Sequence, residues 1–230
     1  MRFRGFIALF SLAACGQDTQ PQPHPVISIR DSIRVRREAM IASRPDTFGT
    51  RVDSMRILAP PNAATAPWVV VISDFQCKRC REFALSVLSD LRRDIAERGI
   101  ARLAFVNHPQ EVHFNARFAA HAALCAASAG RFWEMHDSLF STQSRWDRLP
   151  DPRAFMDSLA EAAGVPREVQ RRCTERQSLL RLLDGDVRRS EQAGAGDPPT
   201  VLVGQRRLPP SELSLEGVRQ AIAEEAARSR

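Results

Sequence analysis

The sequence predicts an α/β fold in which a β-α-β unit and a β-β-α unit are separated by an all-helical insertion. Three observations carry this expectation. An apolar, β-branched run at residues 68–73 leads through a short turn into Cys77-Lys78-Arg79-Cys80, and then into apolar residues at helical spacing. Near the C-terminus a second apolar run is followed by a glycine turn, a short strand-like stretch and a helical pattern. The sequence between them, roughly residues 107–192, reads as helices throughout.

The chain has 230 residues, 43% of them hydrophobic and 26% charged, which is ordinary for a folded protein and excludes wholesale disorder. No apolar stretch reaches the roughly 18 residues that a membrane-spanning helix needs. Its basic residues are almost all arginine, and the single lysine, Lys78, sits between two cysteines. There are five cysteines, an odd number that leaves one to explain in an oxidising compartment.

Residues 1–14 (MRFRGFIALFSLAA) combine a basic start, Arg2 and Arg4, with a short apolar run. This is the pattern of a secretory signal, too short for an anchor helix. The Leu-Ala-Ala that precedes Cys15 resembles the lipobox of bacterial lipoproteins. That resemblance implies lipidation of Cys15, cleavage before it and attachment to the membrane, where several acyl chains hold more firmly than one. Gly16, which is not an Asp, favours the outer membrane by the same analogy. Cleavage removes two arginines and no acid from a chain of net charge +6, leaving a modest +4. With no basic-aromatic interleaving, nucleic-acid binding is set aside.

Residues 16–25 are polar and proline-rich and read as an extended tether. In residues 26–58, Ile29, Ile33, Arg34, Arg36, Arg37 and Met40 could form a basic amphipathic helix on lipid headgroups. An extension packed on the main domain is the preferred reading. The domain plan is therefore a signal at 1–14, the lipidated Cys15 with tether and extension at 15–59, and the main domain at 60–230, opening at Pro60-Pro61.

In the main domain, residues 68–73 suit a buried central strand. Phe83, Ala84, Val87, Leu88, Leu91 and Ile95 form the apolar stripe of a helix ending at Gly99. Residues 100–106 read as a second strand. Cys77 thus begins a helix, where free backbone N–H groups and the helix dipole stabilise a thiolate. Cys77 is the expected nucleophile, and Cys80, one turn further and more buried, the resolving thiol. Lys78 and Arg79 are expected to lower the Cys77 pKa further, each by on the order of half a kcal/mol. A stabilised thiolate makes the disulfide the better oxidant. A Cys-x-x-Cys pair is also half of a zinc site, but Cys125 and Cys173 are single and far apart, and no histidine (24, 108, 113, 121, 136) has ligand spacing with it, so no metal and no cofactor are expected.

At the far end, residues 197–208 (DPPTVLVGQRRL) give a strand, a Gly204 turn and a second short strand. Residues 214–227 give a helix with Leu215, Val218, Ile222 and Ala226 on one face. The insertion reads as helices over residues 116–129, 132–140, 153–163 and 167–188, the last with a solvated run of Arg171, Arg172, Glu175 and Arg176. The histidines are expected to pack or cap, not to catalyse.

Two halves of this kind make a thioredoxin-like fold. Over roughly residues 65–228 the chain resembles DsbA-type thiol–disulfide oxidoreductases of the thioredoxin superfamily, through SDFQCKRCREF (73–83), LCAASAGRFWEMHDSLF (124–140) and PPTVLVGQRRL (198–208). The resemblance implies that Pro199, before Thr200, is a cis-proline packed against the redox pair and offering backbone to the client peptide. It also implies exported protein thiols as clients and a quinone-linked membrane partner for reoxidation. Three departures stand out. Pro198 has no N–H to offer a client. Val71 occupies the position, six before Cys77, where relatives often bury an acid. Lys-Arg replaces more usual residues between the cysteines. Two free thiols beside an oxidant would be a liability in an exported protein, so Cys125 and Cys173 are expected to form a structural disulfide, contributing about 4 kcal/mol in the loop-entropy model. Competing functions are a reductase or isomerase, a metal-handling module and a chaperone on the same scaffold.

Overall fold

The structure, a computed structural model, describes residues 47–177 and 179–228, with the side chains of residues 47–50 excepted. The signal segment, Cys15, the tether and the basic stretch containing Ile29, Arg34 and Met40 lie outside the described residues. No helix among the described residues is long and apolar enough to cross a membrane.

Five strands form one sheet in the order β1-β3-β2-β4-β5. They are β1 (Ile57–Leu58), β2 (Trp68–Ser73), β3 (Arg102–Asn107), β4 (Thr200–Val203) and β5 (Arg206–Arg207). β2 runs parallel to β3, with Val71 opposite Phe105, and antiparallel to β4, with Ile72 opposite Thr200. This central position explains the run of Val and Ile: a strand covered on both faces has no polar face to show.

A first helix, α1 (Thr47–Ser54), and β1 come from the segment that the sequence assigns to the N-terminal extension. Val52 is buried in the core, and β1 pairs with β3 at the sheet edge. Two residues are too few to carry a period-2 signal, so this strand was not legible before Pro60. The helix after Cys77, α2, runs through Lys78–Phe83, Ala84–Leu88, Ser89–Leu91 and Arg92–Ala96, with π-type turns at the second and fourth pieces. It buries Phe83, Leu88, Leu91 and Ile95 as the periodicity predicts. Gly99 (φ 74) ends it, and a Cβ there would lie about 2.5 Å from the Asn62 side chain.

The insertion holds α3 (Ala116–Ser128), α4 (Phe132–Ser141), α5 (Gln143–Trp146), α6 (Arg153–Ala162), α7 (Arg167–Arg176) and α8 (Leu180–Gln192). Two differences from the sequence reading have physical causes. The helix expected over 167–188 is two helices, broken at Gln177 in the left-handed region (φ 52). Continued unbroken, the face that buries Gln170 and Cys173 would carry Arg181 and Asp184 into the core; the break re-phases the chain so that Leu179, Leu183 and Asp186 face inward instead. The four-residue α5 is too short to show a period. The C-terminal α9 (Leu215–Arg228) buries Val218, Ala221 and Ile222, close to the predicted face.

Cys125 in α3 and Cys173 in α7 are joined by a disulfide that spans 48 residues. Converting both to Ala is expected to cost about 2–4 kcal/mol of unfolding free energy, read by urea denaturation, while leaving the Cys77–Cys80 redox midpoint in place. A midpoint that moved with the stability would contradict a purely structural bridge.

Candidate active site

Strand β2 ends at Ser73, and Asp74-Phe75-Gln76 turns the chain into α2. The turn is self-made: an Asp74 carboxylate oxygen accepts from the Gln76 N–H at 2.7 Å, and the Asp74 carbonyl accepts from the Cys77 N–H at 3.2 Å. Cys77 is then the N-cap of α2, and its sulfur accepts from the Cys80 backbone N–H at 3.3 Å. Both thiols are free. Cys77 is 7% exposed and Cys80 is fully buried.

The insertion clamps this turn. Gln143 on α5, 3% exposed, donates to the carbonyls of Phe75 (2.7 Å) and Cys77 (3.0 Å). Gln76 accepts from the Asn115 N–H and donates to the Asp147 carbonyl, both at 2.7 Å. Arg81 donates to the Phe140 carbonyl at 3.1 Å. Phe75 packs on Phe140, Phe105 and His136, with ring centroids 4.9–5.7 Å apart. Gln76, Asn115 and Gln143 carry no sequence signature, because an amide that satisfies a distant carbonyl looks like any surface amide.

The Pro198–Pro199 peptide bond is cis. The Pro198 carbonyl meets the Cys77 sulfur at 3.5 Å, and Thr200 continues into β4, buried against β2. The structure thus brings Cys77, Cys80, Pro198, Pro199 and Thr200 together. Pro198 lacks an N–H, but its carbonyl is the group turned to the sulfur.

The Cys77 thiol is lowered to about 6. The leading cause is the hydrogen bond from the Cys80 thiol. Burial opposes it, the Cys80 N–H adds to it, the Asp74 charge opposes it and the Arg79 N–H adds to it. Cys80 is pushed far up, first by burial and then by Cys77 itself. This revises the role expected of Lys78 and Arg79. Arg79 acts on Cys77 chiefly through its backbone N–H, and its guanidinium pairs with Asp197 of the cis-proline loop. That pair is more than half exposed, so it contributes little energy. The lowering therefore comes from helix-start hydrogen bonds more than from the two cations.

Val71 is a core residue of β2, as its apolar character predicts. The buried acid at this site is Asp74, which is three positions before Cys77 and accepts from the Gln110 N–H (2.8 Å) and from His113 Nδ1 (2.7 Å) as well as from Gln76. His113 lies 39 residues away in sequence, and nothing local marks the pair. The other histidines among the described residues pack. His136 is enclosed by aromatics, His121 lies 3.7 Å from the Cys125 sulfur, and burial lowers the pKa of both. His108 borders a neighbouring hollow with Glu191 and Ala195, which shares Gln110, Val112, His113 and Phe114 with the one that Cys77 lines.

A family model described as Thioredoxin matches residues 62–224. The chain is 20% identical over 144 residues to Disulfide bond formation protein D of Bacillus subtilis (strain 168), covering 60% of this chain and 63% of that relative. Among solved structures it is similar to oxidised BdbD from Bacillus subtilis, with a TM-score of 0.66, 19% identity, and 75% of this chain and 92% of that one covered. DsbA of Chlamydia trachomatis superposes with a TM-score of 0.63 at 18% identity, over 74% of this chain and 90% of that one. MdbA, a thiol-disulfide oxidoreductase from Corynebacterium diphtheriae, does so with 0.59 at 17%, over 80% and 100%.

Proposed function

Because the chain belongs to the thioredoxin family and has a DsbA-like fold, we propose that it is a thiol–disulfide oxidoreductase whose Cys77–Cys80 disulfide oxidises dithiols of exported proteins. The observation that carries this reading is the pairing of a helix-start Cys77, lowered to about 6, with a buried Cys80. A client thiolate attacks the Cys77 sulfur, the Cys77–Cys80 bond breaks, and Cys80 takes a proton. The second client thiolate attacks the client sulfur of the mixed disulfide, and Cys77 leaves as a stable thiolate. The client loses two electrons and the protein gains them. A relative named for disulfide bond formation supports this activity, and the signal pattern supports the choice of exported clients. The signal pattern and Cys15 support an envelope location with a lipid anchor, outer-membrane by the analogy with Gly16. Reoxidation by a quinone-linked membrane partner follows from the same reading.

Linkage supports this direction. A thiol whose folded pKa lies below its unfolded value stabilises the folded reduced state fully above the unfolded value, and that stability is lost as pH falls through about 6. The folding stability of the reduced form therefore rises relative to that of the oxidised form by about 1.4 kcal/mol per pH unit from about 6 towards 9. Equilibration with glutathione buffers is expected to place the pair at a more oxidising potential than glutathione itself. Its slope should change from about 59 to about 30 mV per pH unit near pH 6, as reduction takes up one proton in place of two. A potential well below that of glutathione would make the protein a reductase and overturn the direction.

A further inference from the structure

We propose that His113, oriented by Asp74, is the general base that takes the proton from an incoming client thiol; this deepens the oxidoreductase reading and rests on it. The geometry is that of a base with its support. The Asp74 side chain is fully buried, and all three of its partners approach as donors: the N–H groups of Gln76 and Gln110, and His113 Nδ1 at 2.7 Å. The oxygen that meets Nδ1 also accepts from Gln110, so Nδ1 is the donor of the pair and Nε2 is the ring nitrogen left to meet a client. Among the described residues Nε2 has no hydrogen-bond partner, and the His113 side chain is 30% exposed. The ring borders a hollow of about 530 Å³ that is also lined by Cys77, Pro198, Val112 and Phe114.

The chemistry leaves a place for such a base. When the client arrives, Cys77 and Cys80 are bonded to each other and neither can accept a proton. A cysteine thiol with pKa near 8.5 is only about 3% ionised at pH 7. Lys78 and Arg148 in the hollow carry no lone pair to offer in their charged forms, and the carboxylates of Asp147 and Asp197 match a thiol less well than imidazole does. His113 takes the client's S–H proton at Nε2. The thiolate so formed attacks Cys77, the sulfur–sulfur bond to Cys80 breaks, and the departing Cys80 sulfur is protonated. His113 passes its proton to water and serves the second client thiol in the same way. Two client thiols and one protein disulfide thus become one client disulfide, a Cys77 thiolate, a Cys80 thiol and one released proton. Asp74 touches no reacting atom and is a positioning residue.

The test compares two reductants on the full-length oxidised protein at pH 7: a peptide with two ordinary cysteines, and an aryl thiol already ionised at that pH. His113→Gln is expected to slow the peptide about ten- to thirtyfold, up to the gain available from ionising such a thiol, and to leave the aryl thiolate within twofold. Equal losses with both reductants would assign His113 a structural role, and no loss with either would remove it from the reaction; each result overturns the proposal. Should His113→Gln fail to fold, His113→Ala measured with and without imidazole decides the matter, since added imidazole must restore the peptide rate alone. A wild-type chain that neither reductant reduces would instead overturn the oxidoreductase reading itself.

Discussion

Cys77→Ser is expected to abolish dithiol oxidation, with no residual turnover above the uncatalysed rate. A serine oxygen cannot form or leave a disulfide, and the remaining thiol, Cys80, is fully buried and held as a thiol by that burial. Cys80→Ser should behave differently. Cys77 keeps its helix-start N–H donors, so its thiolate still attacks a client disulfide and releases one client thiolate, but with no Cys80 thiol beside it the mixed disulfide so formed has no protein thiol to resolve it. Client adducts should accumulate on non-reducing gels of the Cys80→Ser protein and be absent from the Cys77→Ser protein. Cys80→Ala adds a sharper expectation. It removes the hydrogen bond that leads in lowering Cys77, so the pH midpoint of Cys77 alkylation should rise above about 6, while Cys80→Ser, which keeps a hydroxyl donor, should raise it less. Measurable turnover by Cys77→Ser would remove Cys77 from the centre of the reaction.

The largest stability effect is expected at Asp186, whose side chain is fully buried on α8. Its carboxylate accepts from Arg56, from the Asn107 side chain (2.8 Å) and N–H (3.2 Å), and from Arg189 (2.6 Å). Arg56, 1% exposed, also donates to the Phe105 carbonyl at 3.2 Å. One acid therefore ties the segment before β1, the end of β3 and α8 together. Asp186→Ala removes the buried counter-charge of the Arg56 guanidinium and leaves it only the partly exposed Asp53, at a cost of about 3 kcal/mol or more. Urea unfolding at constant pH reads this directly. Replacing both partners, Arg56→Met with Asp186→Leu, should recover much of the loss, because the penalty lies in the stranded charge more than in the missing pair. A cost below about 1 kcal/mol for Asp186→Ala would show that water reaches Arg56 and that the network does not hold the segment.

Much of the site was readable because its chemistry is local. Cys77 and Cys80 stand three apart at a strand-to-helix junction, and a run of β-branched residues followed by a 3.6-residue period announces that junction. The helix start that lowers Cys77 is a property of the same few residues. The cis-proline segment was recognisable by its likeness to relatives, since a Pro-Pro-Thr by itself reads as a turn. Lys78 and Arg79 were conspicuous in the sequence but secondary in the structure: Arg79 has a nearer partner in Asp197, 118 residues away, and proximity along the chain overstates the effect of a charge that another charge neutralises.

The sequence by itself determined the halves of the fold, the helical character of the insertion, and the placement of Cys77 at a helix start with the more buried Cys80 one turn on. All of these follow from periodicity and from contacts within a few residues. Only the tertiary structure decided that Asp74, not the position of Val71, supplies the buried acid, that His113 stands against it, and that Gln143 and Asn115 hold the Cys77 turn in place. The same is true of the strand that residues 57–58 add to the sheet and of the Arg56–Asp186 tie behind it. These contacts join residues 39 to 130 positions apart. A buried polar group needs a partner, but the physics of that need sets only the partner's chemistry, and the packing of the chain sets which residue meets it.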